Sequence, residues 1–406
     1  MHKTLWDHRY AQRTQRMSGS TIRELLKLTE QPDIISFGGG LPSPDVFPLE
    51  RVKQASELVL KTQAAYVLQY GTTEGYVPLR KMLAEFACRF GVDITIDNVL
   101  ITSGSQQALD LLGKILINPG DRILVEDPTY LGALQAWNAY GAEYVPVPSD
   151  EEGIDPGALE AAMRCGAKFL YLIPTFQNPT GKTLSEERRK KIIQLSDHYG
   201  IPIIEDDPYG QLRFEGETVS PIMALDGAAR DDCAGCYNGN VIYLSTFSKI
   251  MAPGLRLAWV IAPPEIIRKM VMAKQGIDLN TSTFNQALAY EVGRDGFIDQ
   301  HIQLIRKVYK ERRDVMLEAL TEFMPQGVSW THPQGGLFLW ATCPEKINTE
   351  SLLKVAVARK VAFVPGTSFF ATGGGYNTMR LNFSFCVPEK IITGISRLGE
   401  AIKESL

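Results

Sequence analysis

The chain has 406 residues, 45% of them hydrophobic, with 42 Lys and Arg against 46 Asp and Glu for a formal net charge of −4. That length supports two or three folding units, and the absence of any long block of one sign excludes an electrostatic footprint for nucleic acid or an anionic membrane. The N-terminus has no apolar secretion core and no stretch approaches the 18 or so consecutive apolar residues of a membrane span, so a cytoplasmic protein with small-molecule partners is expected. In chain order, an amphipathic helix is expected near 20–29, followed by the glycine run FGGGLP at 37–42. From about residue 97, apolar runs alternate with helical patterns: VLIT (99–102), ILVE (123–126), YVPV (144–147), FLYLI (169–173), PIIE (202–205), VIYLS (241–245) and LAWVIA (257–262). Runs apolar on successive residues suit strands covered on both faces, the mark of a mostly parallel sheet. Between them, Thr183 with Glu186 three residues on reads as a capping box, and Gly200 before Pro202 as that helix's end.

After residue 296 the pattern changes to a long charged helix, FIDQHIQLIRKVYKERRDVMLEAL, then strands LFLWA (337–341), VAFVP (361–365) and MRLNFSF (379–385). The expected fold is therefore α/β. A large domain over residues 46–296 carries a seven-stranded, mostly parallel sheet, and a smaller α+β domain combines residues 1–45 with 297–406. The six cysteines (88, 165, 233, 236, 343 and 386) are too sparse for a disulfide scaffold. Cys233 and Cys236 form a lone C-x-x-C with no second pair or nearby His to complete a zinc site, so they read as loop residues, and no metal is expected.

The chemistry-bearing residues sit at strand ends, where open α/β sheets bind ligands. VLIT runs into Ser103-Gly104-Ser105-Gln106-Gln107 and then a helical pattern, which places small polar residues where a helix N-terminus offers free N–H groups to a phosphate. Asp127-Pro128-Thr129-Tyr130, Gln177-Asn178-Pro179-Thr180-Gly181, Asp206-Asp207-Pro208-Tyr209 and Ser245-Thr246-Phe247-Ser248-Lys249 follow four further strands. Each alone reads as turn punctuation, but together they exceed what turns require.

The segment STFSKIMAPGLRLAW, with Lys249, Gly254 and Arg256, resembles the cofactor-lysine motif of pyridoxal 5'-phosphate (PLP)-dependent aminotransferases with the aspartate-aminotransferase type of fold (class I/II). With S-G-S-Q-Q, Q-N-P-T-G, E-D-D-P-Y and M-R-L-N-F-S-F in the expected order from Phe37 to Phe385, the chain looks most like the subgroup of 2-aminoadipate, kynurenine and aromatic aminotransferases. Thr246 and Ala258 stand where many relatives have Ser and Gly. The resemblance implies Lys249 as the Schiff-base lysine and proton carrier, Asp206 beside the pyridine nitrogen, and Tyr130 stacked on the ring. Asn178 and Tyr209 fall to the ring hydroxyl, and Ser105, Gln106, Thr246 and Arg256 to the phosphate. Tyr70 matches a tyrosine given to the neighbouring subunit's phosphate, implying a homodimer with shared active sites. Arg380 matches the receptor of the substrate α-carboxylate, and Gly39 a glycine at the substrate pocket. The implied activity is transfer of an amino group from an α-amino acid to a 2-oxo acid. The same anchoring residues would serve a PLP-dependent lyase or racemase, although Arg380 and the motif set favour transamination. A non-catalytic PLP-sensing domain behind a DNA-binding head is disfavoured by the 35 or so residues ahead of FGGGLP. Which amino donor is used depends on pocket walls that the motifs do not specify.

Overall fold

Every apolar run expected as a strand between residues 99 and 262 enters one mixed sheet in the computed structural model, which describes residues 4–17, 19, 33–230 and 236–406. The helix expected near 20–29 and Cys233 lie outside the described residues. The strands are β1 (Ile35–Ser36), β2 (Val99–Thr102), β3 (Arg122–Asp127), β4 (Glu143–Asp150), β5 (Gly153–Ile154), β6 (Leu170–Leu172), β7 (Ile203–Asp206), β8 (Val241–Thr246), β9 (Ala258–Ile261), β10 (Ser329–Trp330), β11 (Phe338–Thr342), β12 (Val361–Ala362), β13 (Val364–Pro365) and β14 (Thr378–Asn382). The large sheet has the order β2-β9-β8-β7-β6-β3-β4-β5. Strands β3, β4, β6, β7 and β8 pair in parallel, and every residue of β2, β6, β7, β8 and β9 is buried, as sheets covered on both faces require.

Two features were not visible in the runs. β5 adds an eighth strand of two residues in a hairpin with β4, too short to leave an apolar signature. β9 runs antiparallel to both β2 and β8. Its direction matters for function. The carboxyl ends of β2, β3, β6, β7 and β8 share one edge, and β9 starts at that edge, so Arg256, two residues ahead of β9, arrives beside residues that follow the other strands.

The helix Glu186–Tyr199 ends at Gly200 with φ +64°, as a left-handed cap requires, but Ser185 rather than Thr183 caps its start. Ser185 Oγ accepts from Arg188 N at 3.3 Å, while Thr183 Oγ1 accepts from Phe176 N at 3.0 Å and so braces the preceding turn instead.

Past residue 296, a 27-residue helix, Phe297–Phe323, leads into the antiparallel sheet β10-β11-β14-β13. The expected strand 361–365 is split in two. Val361 and Ala362 pair in parallel with Ile35 and Ser36, and Val364 and Pro365 pair with β14, so the chain changes sheets at the buried Phe363. The expected strand 379–385 stops at Asn382, whose Oδ1 accepts from Phe385 N at 3.1 Å and turns the backbone out of the ladder. Ile35 N donates to Lys360 O and Asn382 N to Phe37 O, which ties the segment after residue 33 to these C-terminal strands. Among the described residues no helix is long and apolar enough to cross a membrane.

Candidate active site

Along the shared strand edge lies a cavity of about 340 Å³. Its lining includes Ser105, Gln106, Tyr130, Asn178, Asp206, Tyr209, Thr246, Lys249, Arg256 and Arg380, residues scattered over most of the sequence. They arrive from the carboxyl ends of β2, β3, β6, β7 and β8 and from just ahead of β9, except Arg380, which comes from the middle of β14. There it pairs with Trp340 on one side and Val364 on the other, so its backbone is fixed by ladders on both flanks.

Lys249 follows β8 directly, and its Nζ donates to Gly40 O at 2.7 Å. Burial, then the like charges of Arg380 and Arg256, bring its pKa from 10.5 down to about 8. A substantial neutral fraction of the amine therefore exists near neutral pH, which an exposed lysine does not offer.

Asp206 ends β7 and is buried. Tyr171 on β6 donates to its Oδ2 at 2.9 Å, whereas Oδ1 is buried and has no hydrogen-bond partner among the described residues. Burial raises its pKa to about 7 against the lowering hydrogen bond from Tyr171, with Asp207 adding to the rise. An acceptor left open at such a cost fits a cationic ring N–H that arrives with a ligand. The adjacent Asp207 is spent locally: it accepts from Gly210 N at 2.8 Å and from Tyr243 OH at 3.0 Å, and does not line the cavity.

At the start of the helix Ser105–Leu116, Ser105 Oγ is likewise buried and has no hydrogen-bond partner among the described residues. Gly104 precedes it with φ +88°, and a Cβ there would meet the Arg256 guanidinium. The helix N-terminus, Ser105 and Arg256 thus converge on one spot, a phosphate cradle in its chemistry. Arg256 itself holds a left-handed φ of +50°, a conformation unusual outside glycine and frequent at ligand sites. Two of the expected phosphate contacts are partly committed elsewhere: Gln106 Nε2 donates to Gly132 O at 2.9 Å, and Thr246 Oγ1 donates to Leu257 O and accepts from Ser248 N, each at 3.0 Å. Gln106 then has its backbone N–H to offer.

Arg380 is 1% exposed. It donates to Asn178 Oδ1 at 2.9 Å and to Gly38 O at 2.7 Å and lies over the Phe338 ring at 4.2 Å, while its Nε has no partner among the described residues. Burial lowers its pKa to about 10, so it stays charged.

Two expected positions are not brought to the cavity. Gly39 does not line it; Gly38 and Gly40, on either side, supply the carbonyls that meet Arg380 and Lys249, the every-second-residue spacing of same-side groups in extended backbone. Tyr70 is 80% exposed on its own chain and also lies off the lining. Sequence reasoning missed Tyr171, which looks like any apolar strand residue within FLYLI, and the apolar wall residues Leu41, Ile173 and Phe338. Of the C-x-x-C pair, Cys236 Sγ lies 3.1 Å from Asn98 Oδ1, away from this cavity.

The sequence profile of the family described as aminotransferase class I and II matches residues 32–398. The chain is 51% identical to the aromatic-amino-acid aminotransferase 1 of Thermococcus litoralis over 397 residues, 96% of this chain and 93% of the relative. Among solved structures, it superposes with a TM-score of 0.92 on the multiple substrate aminotransferase of Thermococcus profundus, at 46% identity and 99% coverage of both chains. It superposes equally well, at 41% identity and 99% coverage of both, on the α-aminoadipate aminotransferase LysN of Thermus thermophilus complexed with N-(5'-phosphopyridoxyl)-L-leucine. With the full span matched and a cavity whose open acceptor, lysine and phosphate cradle suit PLP, the chain belongs to the class I and II aminotransferases, enzymes that use pyridoxal 5'-phosphate.

Proposed function

We propose that amino-group transfer between an α-amino acid and a 2-oxo acid takes place in this cavity, with Lys249 carrying the cofactor and the migrating proton. The observation that supports the reading best is the convergence of Lys249 Nζ, the unpaired buried Oδ1 of Asp206 and the guanidinium of Arg380 on one cavity. When bound, PLP supplies an aldehyde that joins amines and an electron-poor ring that stabilises negative charge at the substrate Cα. Ser105, the Gln106 N–H, Thr246 and Arg256 hold its phosphate, Tyr130 covers a ring face, and Asn178 and Tyr209 meet the ring hydroxyl. Asp206 Oδ1 accepts from the ring nitrogen and keeps that nitrogen protonated by opposite charge. Lys249 Nζ, with its pKa brought down toward the working pH, would serve as the base that takes the proton from the substrate Cα and carries it. Arg380 receives the α-carboxylate, and the Gly38-to-Gly40 segment carries the carbonyls that hold Arg380 and Lys249 beside it.

The relatives' names support a donor in the range of aromatic amino acids and α-aminoadipate, and Leu41, Ile173 and Phe338 would give its side chain an apolar wall. We also propose a homodimer in which Tyr70 serves the neighbouring phosphate. Leu49, Leu58, Leu60, Tyr66, Leu68 and Tyr70 are all exposed along and just after the helix Leu49–Val67, and such a partner would cover part of this apolar area. Residues 46–296 are proposed as the cofactor-holding unit and residues 1–45 with 297–406 as the smaller one.

Borohydride reduction of the holoenzyme followed by peptide mapping tests the central assignment. The cofactor should be fixed on Lys249. Recovery on any other lysine, such as Lys274, would overturn it.

A further inference from the structure

Behind the phosphate cradle lies a carboxylate that the proposed chemistry does not use. Asp278 Oδ2 accepts from Ser103 Oγ at 3.0 Å and from Gln107 Nε2 at 2.7 Å, and Gln107 Oε1 accepts from Ser103 N at 2.8 Å. Ser103 and Gln107 bracket Gly104, Ser105 and Gln106, the turn at the helix start. One oxygen 171 and 175 residues away in sequence therefore ties both ends of that turn into a closed ring of hydrogen bonds. The other oxygen, Oδ1, accepts at 2.7 Å from Lys274 Nζ, whose side chain is completely buried at the end of the helix Pro264–Gln275. Burial alone would raise the Asp278 pKa, but the hydrogen bonds from Lys274, Gln107 and Ser103 outweigh it and hold the carboxyl below its usual range. Thr281 Oγ1, 3.1 Å from Ser103 Oγ, adds a further link from the same segment.

We propose that Asp278, braced by Lys274, is a positioning residue for the phosphate cradle: it fixes the 103–107 turn so that the N–H groups and Ser105 Oγ point at the phosphate without reorganisation on binding. The charge is suited to this because hydrogen bonds to an ionised acceptor are shorter and stronger than neutral ones. Asp278 does not line the cavity, so it acts only through the turn. The inference rests on the proposed placement of the phosphate at Ser105, Gln106 and Arg256.

A ligand without a phosphate separates this role from general support of the fold. Full-length Asp278→Asn and Gln107→Met, with Arg256→Ala alongside, are stripped of cofactor and titrated with PLP and with pyridoxal, followed by the visible absorbance of the bound ligand. PLP release from each holoenzyme is timed in parallel. Both cradle variants should bind PLP more weakly by roughly tenfold or more, the effect of one lost charge-assisted bond, and release it faster, with pyridoxal binding unchanged. Asp278→Asn leaves Lys274 as a buried cation without its partner, so the double variant Asp278→Asn/Lys274→Met is read in the same way and removes that penalty. Equal weakening of PLP and pyridoxal, or unaltered PLP binding, in the variants that fold overturns the proposal. If Arg256→Ala keeps the full preference for PLP over pyridoxal, the phosphate placement itself has failed. If Arg256→Ala loses that preference and the Asp278 variants keep it, only the brace has failed.

Discussion

Arg380→Ala offers the most direct test of how the site holds substrate, because every amino donor and every 2-oxo acid acceptor carries the carboxylate assigned to it. The arginine is 1% exposed and already anchored by bonds of 2.9 and 2.7 Å to Asn178 and Gly38, so the fork is in place before substrate arrives and little ordering is required on binding. Removing one partner of a buried, hydrogen-bonded charge pair costs about 2–5 kcal/mol, so kcat/KM should fall on the order of 10²-fold or more. The loss should be alike for aromatic, acidic and aliphatic donors assayed with 2-oxoglutarate and with pyruvate, while PLP content changes little. Arg380→Lys should recover only part of it: a point-charge ammonium cannot bond Asn178 Oδ1, Gly38 O and both carboxylate oxygens at once. Because Arg380 also lies over Phe338 and Phe369, thermal melting of each variant separates packing damage from lost recognition. A loss confined to dicarboxylic substrates would place Arg380 at the distal carboxylate, and full activity in the lysine variant would refute the bidentate role.

Asp206→Asn keeps the acceptor's size but removes the charge facing the ring nitrogen, so single-turnover rates should fall by roughly 10²-fold or more while PLP affinity falls far less; near-normal single turnovers would remove Asp206 from this role. If Tyr70 acts across a dimer, a mixed dimer of one Tyr70→Ala and one Lys249→Ala subunit contains one site with both groups intact, and activity above that of either parent is expected; none would place Tyr70 outside the neighbouring site. Glu126 on β3 is buried, accepts from Ile173 N at 2.8 Å, and has its pKa raised by burial from 4.5 to about 8. Between those values the folded chain holds a proton that the unfolded chain has lost, so this group makes stability fall as pH rises through the window, at about 1.4 kcal/mol per unit at most. Glu126→Gln should flatten that decline in denaturant unfolding measured from pH 5 to 8, and an unchanged slope would show that Glu126 is not the titrating group.

The strands themselves, though not their order in the sheet, were legible because both faces of the large sheet are covered, which forces successive apolar residues and makes runs such as VLIT and VIYLS stand out. Most residues that line the cavity were legible for a related reason: they lie where those runs stop, and polar residues at a strand's carboxyl end have no core to join. What stayed hidden depends on contacts rather than runs. The reversal of β9 leaves no trace in LAWVIA, yet it is what delivers Arg256. Tyr171 is indistinguishable from its apolar neighbours until its hydroxyl is seen at Asp206. Gly38, Gly39 and Gly40 share one residue type, so only the direction of each carbonyl tells that the outer two serve the site. Asp278 lies in a stretch, QGIDLN, with no motif at all. The anchoring residues also left elimination and racemisation open, and family membership favours transamination where the motifs alone could not decide.

The charges of the site can be argued one step further. Lys249 is held down by burial first and then by Arg380 and Arg256, and on the proposed assignment each of those guanidinium groups receives an anion, the carboxylate at one and the phosphate at the other. Filling the site offsets both repulsions, so the amine, whose pKa of about 8 leaves it a neutral fraction near neutral pH, becomes a stronger base once substrate and cofactor are in place, when it has a proton to accept. Arg380→Ala removes one repulsion permanently and also admits water, and both changes raise the Lys249 pKa. Only the neutral amine attacks an aldehyde, so PLP capture by the stripped wild-type protein should accelerate with pH through about 8. In Arg380→Ala the same rise should be displaced to higher pH. A midpoint that stays put or moves down would mean that the guanidinium does not act on the lysine through its charge.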